Sequence, residues 1–151
     1  MLLGEKNKLI SCSGFYDKKI KVWNLDTFKC IQVFKGHTEK VLCLDVTSKG
    51  NLLSCSSDKT IKLWQIETGQ LLKSISFDFE VTSIKVLTDE LIVASFGNGE
   101  IQIYNLNKME PYKTIQAHTS EVHRLNLLPN GDLLSGSVKG DIKLWRMLEN
   151  Y

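Results

Sequence analysis

The chain has 151 residues, 42% of them hydrophobic and 24% charged, which is the length and balance of an ordinary folded domain and not of a disordered segment. Its 19 basic and 17 acidic residues are spread along the whole sequence, and a net charge of +2 is too weak a field to gather nucleic acid or anionic lipid. No apolar run approaches the ~20 residues of a membrane span, and the first residues lack the basic-then-apolar pattern of a secretory signal, so a cytoplasmic or nuclear protein without nucleic-acid or membrane partners is expected.

Taken in order, the sequence is written in short apolar runs parted by polar turns. Residues 1–8 are too few to hold a strand and loop ahead of the first run, LISCS at 9–13. The turn that follows, through Gly14, Phe15 and Tyr16 to Asp17, is longer by two residues than its later counterpart. Two readings stay open, a longer turn or a shifted register, and a one-residue slip would reverse every side chain. Strands are predicted at 20–23 and 30–34, then, after a loop at 35–40, at 41–46, 52–56, 61–66 and 70–75. The runs LLSCS and IKLWQI around Ser57-Asp58-Lys59 are the pattern of a tight hairpin. Further strands are predicted at 81–86, 91–95, 101–106 and 112–115, and at 122–127, 133–137 and 142–147. No window of a dozen residues keeps helical apolar spacing without a glycine, proline or Asn-Gly break, so the fold class is all-β. The near-continuous apolar runs fit sheets covered on both faces.

The hairpin recurs. Trp23, Trp64, Tyr104 and Trp145 hold one place in four copies, a period of roughly 40 residues, which is the self-similarity of stacked four-stranded repeats. The units so predicted are 1–34, short of a full innermost strand, 35–76, 77–115, and 116–151, short of an outer strand. Cys12, Cys30, Cys43 and Cys55 match neither a metal knuckle nor a disulfide framework; lying in apolar runs, they read as small buried hydrophobes in a reducing compartment.

The most regular features are Gly36-His37-Thr38 with Val41 beyond it, Ser54-Cys55-Ser56-Ser57-Asp58, and Ile61-Lys62-Leu63-Trp64. The same spacing parts positions 37 and 64, 77 and 104, and 118 and 145. Over residues 9–146 the chain resembles the WD-repeat (Trp-Asp repeat) family of β-propellers. The resemblance implies about 3.5 to 4 four-stranded antiparallel blades in an open, partial ring, where closed rings of the family have about six to eight. It also implies a buried hydrogen-bonded set, which falls here on His37, Ser54, Asp58 and Trp64. The third copy replaces that set with Phe77, Ala94, Asn98 and Tyr104, and the fourth keeps His118, Ser135 and Trp145 with Lys139 where Asp belongs. The first has Asp17 and Trp23 with Ser13 or Ser11. The second blade is therefore expected to be the most rigid and the third to depend on apolar packing. On the same ground the chain is expected to be the C-terminal portion of a larger propeller, or else to self-associate through its uncovered end blades.

Converging Ser, His and Asp invite a hydrolase reading, but a triad needs an exposed nucleophile, and no Gly-x-Ser-x-Gly elbow is present. His118, Glu121 and His123 are not in a zinc spacing, and Gly97-Asn98-Gly99 lacks the Lys-Ser/Thr of a phosphate cradle and precedes a strand. Lys18, Lys19 and Lys21 read as the solvated rim of a strand. No catalytic, cofactor or metal site is expected. By resemblance the partner-binding face is the loop rim, which maps onto Phe15, Tyr16, Glu39, Lys40, Ser57, Lys59, Phe79, Glu80, Phe96, Glu121, Val138 and Lys139. Phe15, Tyr16, Phe79 and Phe96 are the candidate anchors, unless they pack beneath their own loops. The implied function is a non-catalytic protein-interaction scaffold within a multiprotein complex. The alternative, a substrate receptor or adaptor of a ubiquitin ligase, finds neither an F-box-like helical segment nor the Arg that follows a Trp-Asp pair in one adaptor subgroup.

Overall fold

The computed structural model describes residues 7–14 and 16–146, and among them the regular structure is all strand, fourteen in number. Consecutive strands pair into four antiparallel meanders. The first sheet is β1 (Lys8–Cys12), β2 (Ile20–Asn24) and β3 (Lys29–Phe34); the second is β4 (Val41–Val46), β5 (Asn51–Ser56), β6 (Thr60–Gln65) and β7 (Leu71–Ser76). The third is β8 (Val81–Val86), β9 (Leu91–Phe96), β10 (Glu100–Asn105) and β11 (Glu110–Gln116); the fourth is β12 (Val122–Leu127), β13 (Leu133–Ser137) and β14 (Ile142–Trp145). The last predicted strand thus stops at Trp145, and residue 147 of that prediction lies outside the described residues. Two compact units part between Val81 and Thr82, the first two sheets belonging to one and the last two, but for Val81, to the other.

Three of the four sheets turn at the central hairpin in the same way. Asp17, Asp58 and Asn98 accept, on a side-chain oxygen, the backbone N–H two residues on, at 3.3, 3.0 and 3.1 Å. A short polar side chain thereby folds its own turn. Pairing is in one register throughout: Leu9 faces Trp23, Leu52 faces Trp64, Ile92 faces Tyr104 and Leu133 faces Trp145. The two extra residues in the first hairpin therefore lengthen its turn and leave the register intact.

Within the first unit, Ile10, Ile20, Val22 and Phe34 of the first sheet pack with Leu52, Trp64 and Ile66 of the second. The Phe34 and Trp64 rings meet edge-on, centroids 5.7 Å apart at 71°, a geometry that adds about 1 kcal/mol to the burial. Within the second unit, Val93, Ile101 and Ile103 pack with Ala117, Val122, Leu125 and Leu133, and the Thr82 hydroxyl donates to the Val122 carbonyl.

Two expectations need correction. Of the cysteines only Cys55 is buried; Cys43 is half-buried, Cys12 and Cys30 are exposed, and none of the four is in a disulfide. Nor are apolar runs covered on both faces everywhere. The outer strands β3, β7 and β11 are exposed over most of their length, and β3 and β7 read as apolar as β5, because side-chain type does not record which strand of a sheet stands at its edge.

Candidate functional site

The loop before β4 and the hairpin of β5 and β6 are joined by a chain of hydrogen bonds whose direction follows from the donors. The Trp64 indole can only donate, and its Nε1–H meets Ser54 Oγ at 2.8 Å. The Ser54 hydroxyl proton then goes to His37 Nε2, at 2.7 Å, so Nδ1 carries the ring proton and donates it to Asp58 Oδ2 at 2.8 Å. Asp58 also accepts from the backbone N–H groups of Thr38 and Thr60, both at 3.0 Å, and from the Thr60 hydroxyl. Burial holds His37 below its ordinary pKa against the opposing pull of Asp58, in keeping with the neutral ring. Burial alone pushes the Asp58 carboxyl up, but the hydrogen bonds from Thr60, Thr38 and His37 outweigh it and leave the group below its usual range. A Cβ at Gly36 would stand 3.0 Å from the Trp64 ring, so this approach of loop to indole needs glycine.

The other sheets keep parts of the set. In the first, Trp23 Nε1–H donates to Ser11 Oγ at 2.9 Å, so Ser11 and not Ser13 is the counterpart of Ser54. Asp17 turns instead to Lys21, 2.8 Å away, whose ammonium, with the Ser13 hydroxyl, holds the carboxyl at about 2. In the third, Ala94 stands at the serine position, and Thr82 and Ser95 share a buried hydroxyl pair at 2.9 Å. In the fourth, Ser135 Oγ joins His118 Nε2 at 2.7 Å and Trp145 Nε1 at 2.8 Å, but His118 Nδ1 is buried without a partner. Burial first and the Lys143 ammonium second hold His118 below its ordinary pKa.

The orphan nitrogen follows from Lys139, which occupies the place of Asp58. Lys139→Asp is expected to raise the unfolding free energy by about 1 kcal/mol, since it supplies a carboxylate to a buried N–H, while Lys139→Ala leaves it unchanged. Urea unfolding of the two variants checks this; equal midpoints would count against it.

Asp58, His37 and Ser54 follow the order of a catalytic triad, yet the site cannot act as one. Ser54 is fully buried, and its oxygen already accepts the indole proton, so no carbonyl reaches it. His118, Glu121 and His123 do not converge on one point either. His118 Nε2 is turned to Ser135, His123 is exposed with Nδ1 3.7 Å from Glu121, and among the described residues no three His, Cys, Asp or Glu side chains are grouped to hold an ion.

In the first unit the rim loops are fastened to one another. Ser57 N–H donates to Lys40 O at 3.0 Å, Phe77 N–H to Lys59 O at 2.9 Å, and the Lys18 ammonium lies 3.1 Å from Glu39. On this frame Tyr16 is 99% exposed and Phe79 46%, Glu39, Lys59 and Glu80 are exposed, and Lys40 and Ser57 are half-buried. Phe15 lies outside the described residues. In the second unit Val138 N–H donates to Glu121 O at 3.1 Å, Val138 and Lys139 are exposed, and Glu121 is half-buried. Phe96 is a correction: at 1% exposure it is core and not a surface anchor. It ends β9 on the inward side, where Ser56 and Ser137, its counterparts in β5 and β13, are also buried. Setting the copies side by side carries that signal.

The family described as WD domain, G-beta repeat matches residues 28–65 and 109–146, about half of the chain. The chain belongs to the WD-repeat family. Each matched stretch takes in the outer strand of one sheet and the first three strands of the next, β3 to β6 and β11 to β14, so the WD-repeat sequence unit is staggered by one strand from the sheet. Both stretches hold a His, Ser and Trp joined by hydrogen bonds. The chain is similar to p21-activated protein kinase-interacting protein 1-like from Xenopus laevis, 26% identical with 89% of this chain and 49% of that protein covered. It is 32% identical to WD repeat-containing protein 89 homolog from Dictyostelium discoideum, with 83% and 36% covered. To Nuclear distribution protein PAC1 from Komagataella phaffii it is 28% identical, with 83% and 26% covered. The chain thus spans about half or less of the length of these curated relatives.

Proposed function

We propose that this WD-repeat chain is a non-catalytic scaffold that holds a partner protein on its rim loops. One observation carries the reading: in the first unit the polar groups that could do chemistry are spent on joining the loop at 35–40 to the hairpin at 57–59, while Tyr16 and Phe79 stand exposed on loops so fastened. Large aromatic side chains on an ordered backbone bind at low entropic cost and dominate interface energetics. The Xenopus relative, named as a kinase-interacting protein, supports the same class of role.

The finer reading takes the four sheets as part of a larger propeller. It is supported by the share of the relatives' length that the chain spans, and by the outer face of the fourth sheet. There Ile142 is 76% and Leu144 56% exposed, although Ile61, at the same place in β6, is buried. Cover for that face from a further blade or from a second copy accounts for it equally. No described residue favours a ubiquitin-ligase receptor over a general scaffold.

The test is co-purification by the tagged chain, with Tyr16→Ala/Phe79→Ala beside the parent sequence. Proteins that bind through the rim are expected to fall at least tenfold in yield with the unfolding midpoint unchanged. An unaltered set of bound proteins would overturn the assignment of the rim.

A further inference from the structure

We propose that Cys43 and Cys55 form a reversible intramolecular disulfide under peroxide, a thiol modification site built into the ladder between β4 and β5. The two residues are register partners, so their side chains leave the same face of the sheet directly opposite one another. Thr47 N–H donates to Asn51 O at 2.9 Å, which makes those two a hydrogen-bonded pair. Counting back along the ladder, Asp45 with Leu53 and then Cys43 with Cys55 are hydrogen-bonded pairs as well. Cα atoms of such a pair lie ~5.5 Å apart. That is inside the range of about 4.4–6.8 Å that a disulfide spans. The ladder slips by one residue between Val41 and Cys43, so Cys43 stands beside a bulge, where the strand bends and twists more strongly.

The two thiols differ in what they can do. Cys43 is half-buried and Cys55 fully buried, so peroxide meets Cys43 first. Burial pushes the Cys55 thiol well up, and the Cys43 sulfur beside it adds to the effect, which keeps Cys55 protonated and protected from direct attack. The Cys43 thiolate takes one oxygen from a hydroperoxide to give a sulfenic acid, and the other oxygen leaves as water or alcohol. The Cys55 thiol then gives up its proton and its sulfur attacks the Cys43 sulfur, the proton leaving with the sulfenic oxygen as water. Two thiols lose two hydrogens and two electrons, and the hydroperoxide gains them. The bond falls one residue from Ser54 and Ser56, so it staples the innermost strand to the strand that carries the hydrogen-bond hub. Cys12 and Cys30, exposed on other strands, face Ile20 and Trp23 in their own ladders; Cys12 adds to the upward push on the Cys55 thiol, and the experiment removes it.

The experiment uses Cys12→Ser/Cys30→Ser, two exposed substitutions that leave the pair alone, treated with hydrogen peroxide in native buffer. The expected result is loss of both titratable thiols, a monomer mass lower by two hydrogens, a linked peptide containing Cys43 and Cys55, and full recovery with dithiothreitol. Persisting thiols, sulfinic acid at Cys43 with Cys55 unchanged, or only intermolecular links would each overturn the proposal. Adding Cys55→Ser should abolish the mass loss; a loss that survives it would overturn the proposal too.

Discussion

Replacing Gly99 by alanine is expected to destabilise the protein by about 3 kcal/mol or more, the largest effect of any glycine substitution in the hairpins. Gly99 has φ +89, and a Cβ built on it stands 2.3 Å from the His118 carbonyl oxygen and 2.9 Å from that of Ser120. Neither is the free end of a side chain that can swing aside. The loop cannot retreat cheaply, because Ala117 N–H and His118 N–H both donate to Gly99 O, at 3.1 and 3.0 Å. Left-handed backbone alone costs a residue with a Cβ about 1–2 kcal/mol. Gly131→Ala isolates that part: its φ is +85 and nothing lies within 4 Å of the added Cβ. The gap between the two variants in urea unfolding is therefore the cost of the close approach. Lys59 occupies the matching turn position of the second sheet with φ 66, and the Phe77 N–H donates to its carbonyl at 2.9 Å. Equal losses for Gly99→Ala and Gly131→Ala would refute the argument.

The strands are legible in the sequence because the same four-strand plan is written several times, and a repeat corrects the ambiguity of any one run. The position of the hydrogen-bond set is legible for a related reason: His37, Ser54, Asp58 and Trp64 keep a spacing that folds them together only if the hairpin closes at Ser57 to Lys59, as it does. Where a single copy had to speak for itself, the sequence was ambiguous. Ser11 and Ser13 lie on one side of the strand direction, and only the pairing of Leu9 with Trp23 selects Ser11 as the indole's acceptor. Phe96 reads as a turn aromatic until β9 is seen to run one residue further with that position inward. The exposed cysteines have the same origin. Cys30 sits in KCIQVF, a run as apolar as a core strand, but β3 is the outer strand of its sheet, and cover is a tertiary fact that a local run does not contain.

Ser54→Ala is expected to cost about 2–6 kcal/mol, twice what one buried polar group left unpaired accounts for, because one hydroxyl serves two neighbours. Its removal strands the Trp64 Nε1–H and the His37 Nε2 together, and Ser54, Trp64 and His37 are all buried. An unpaired polar group there carries its full desolvation cost. The three serines of this kind form a graded series. Ser135→Ala also strands two groups, but Trp145 is only half-buried and His118 already has one unpaired nitrogen, so the cost is smaller. Ser11→Ala loses a single bond to the half-buried Trp23 and should cost least, about 1 kcal/mol. Tryptophan fluorescence during urea unfolding reads all three, and a Ser11→Ala loss as large as that of Ser54→Ala would sink the ranking. The order matters to binding as well as to stability. His37 and Asp58 hold the loop that carries Glu39 and Lys40 against the turn that carries Ser57 and Lys59, and Ser54 is what fixes the imidazole in the tautomer that reaches Asp58. Without it the ring can turn, the Asp58 carboxylate keeps only Thr38 and Thr60, and the rim loosens before the sheet does.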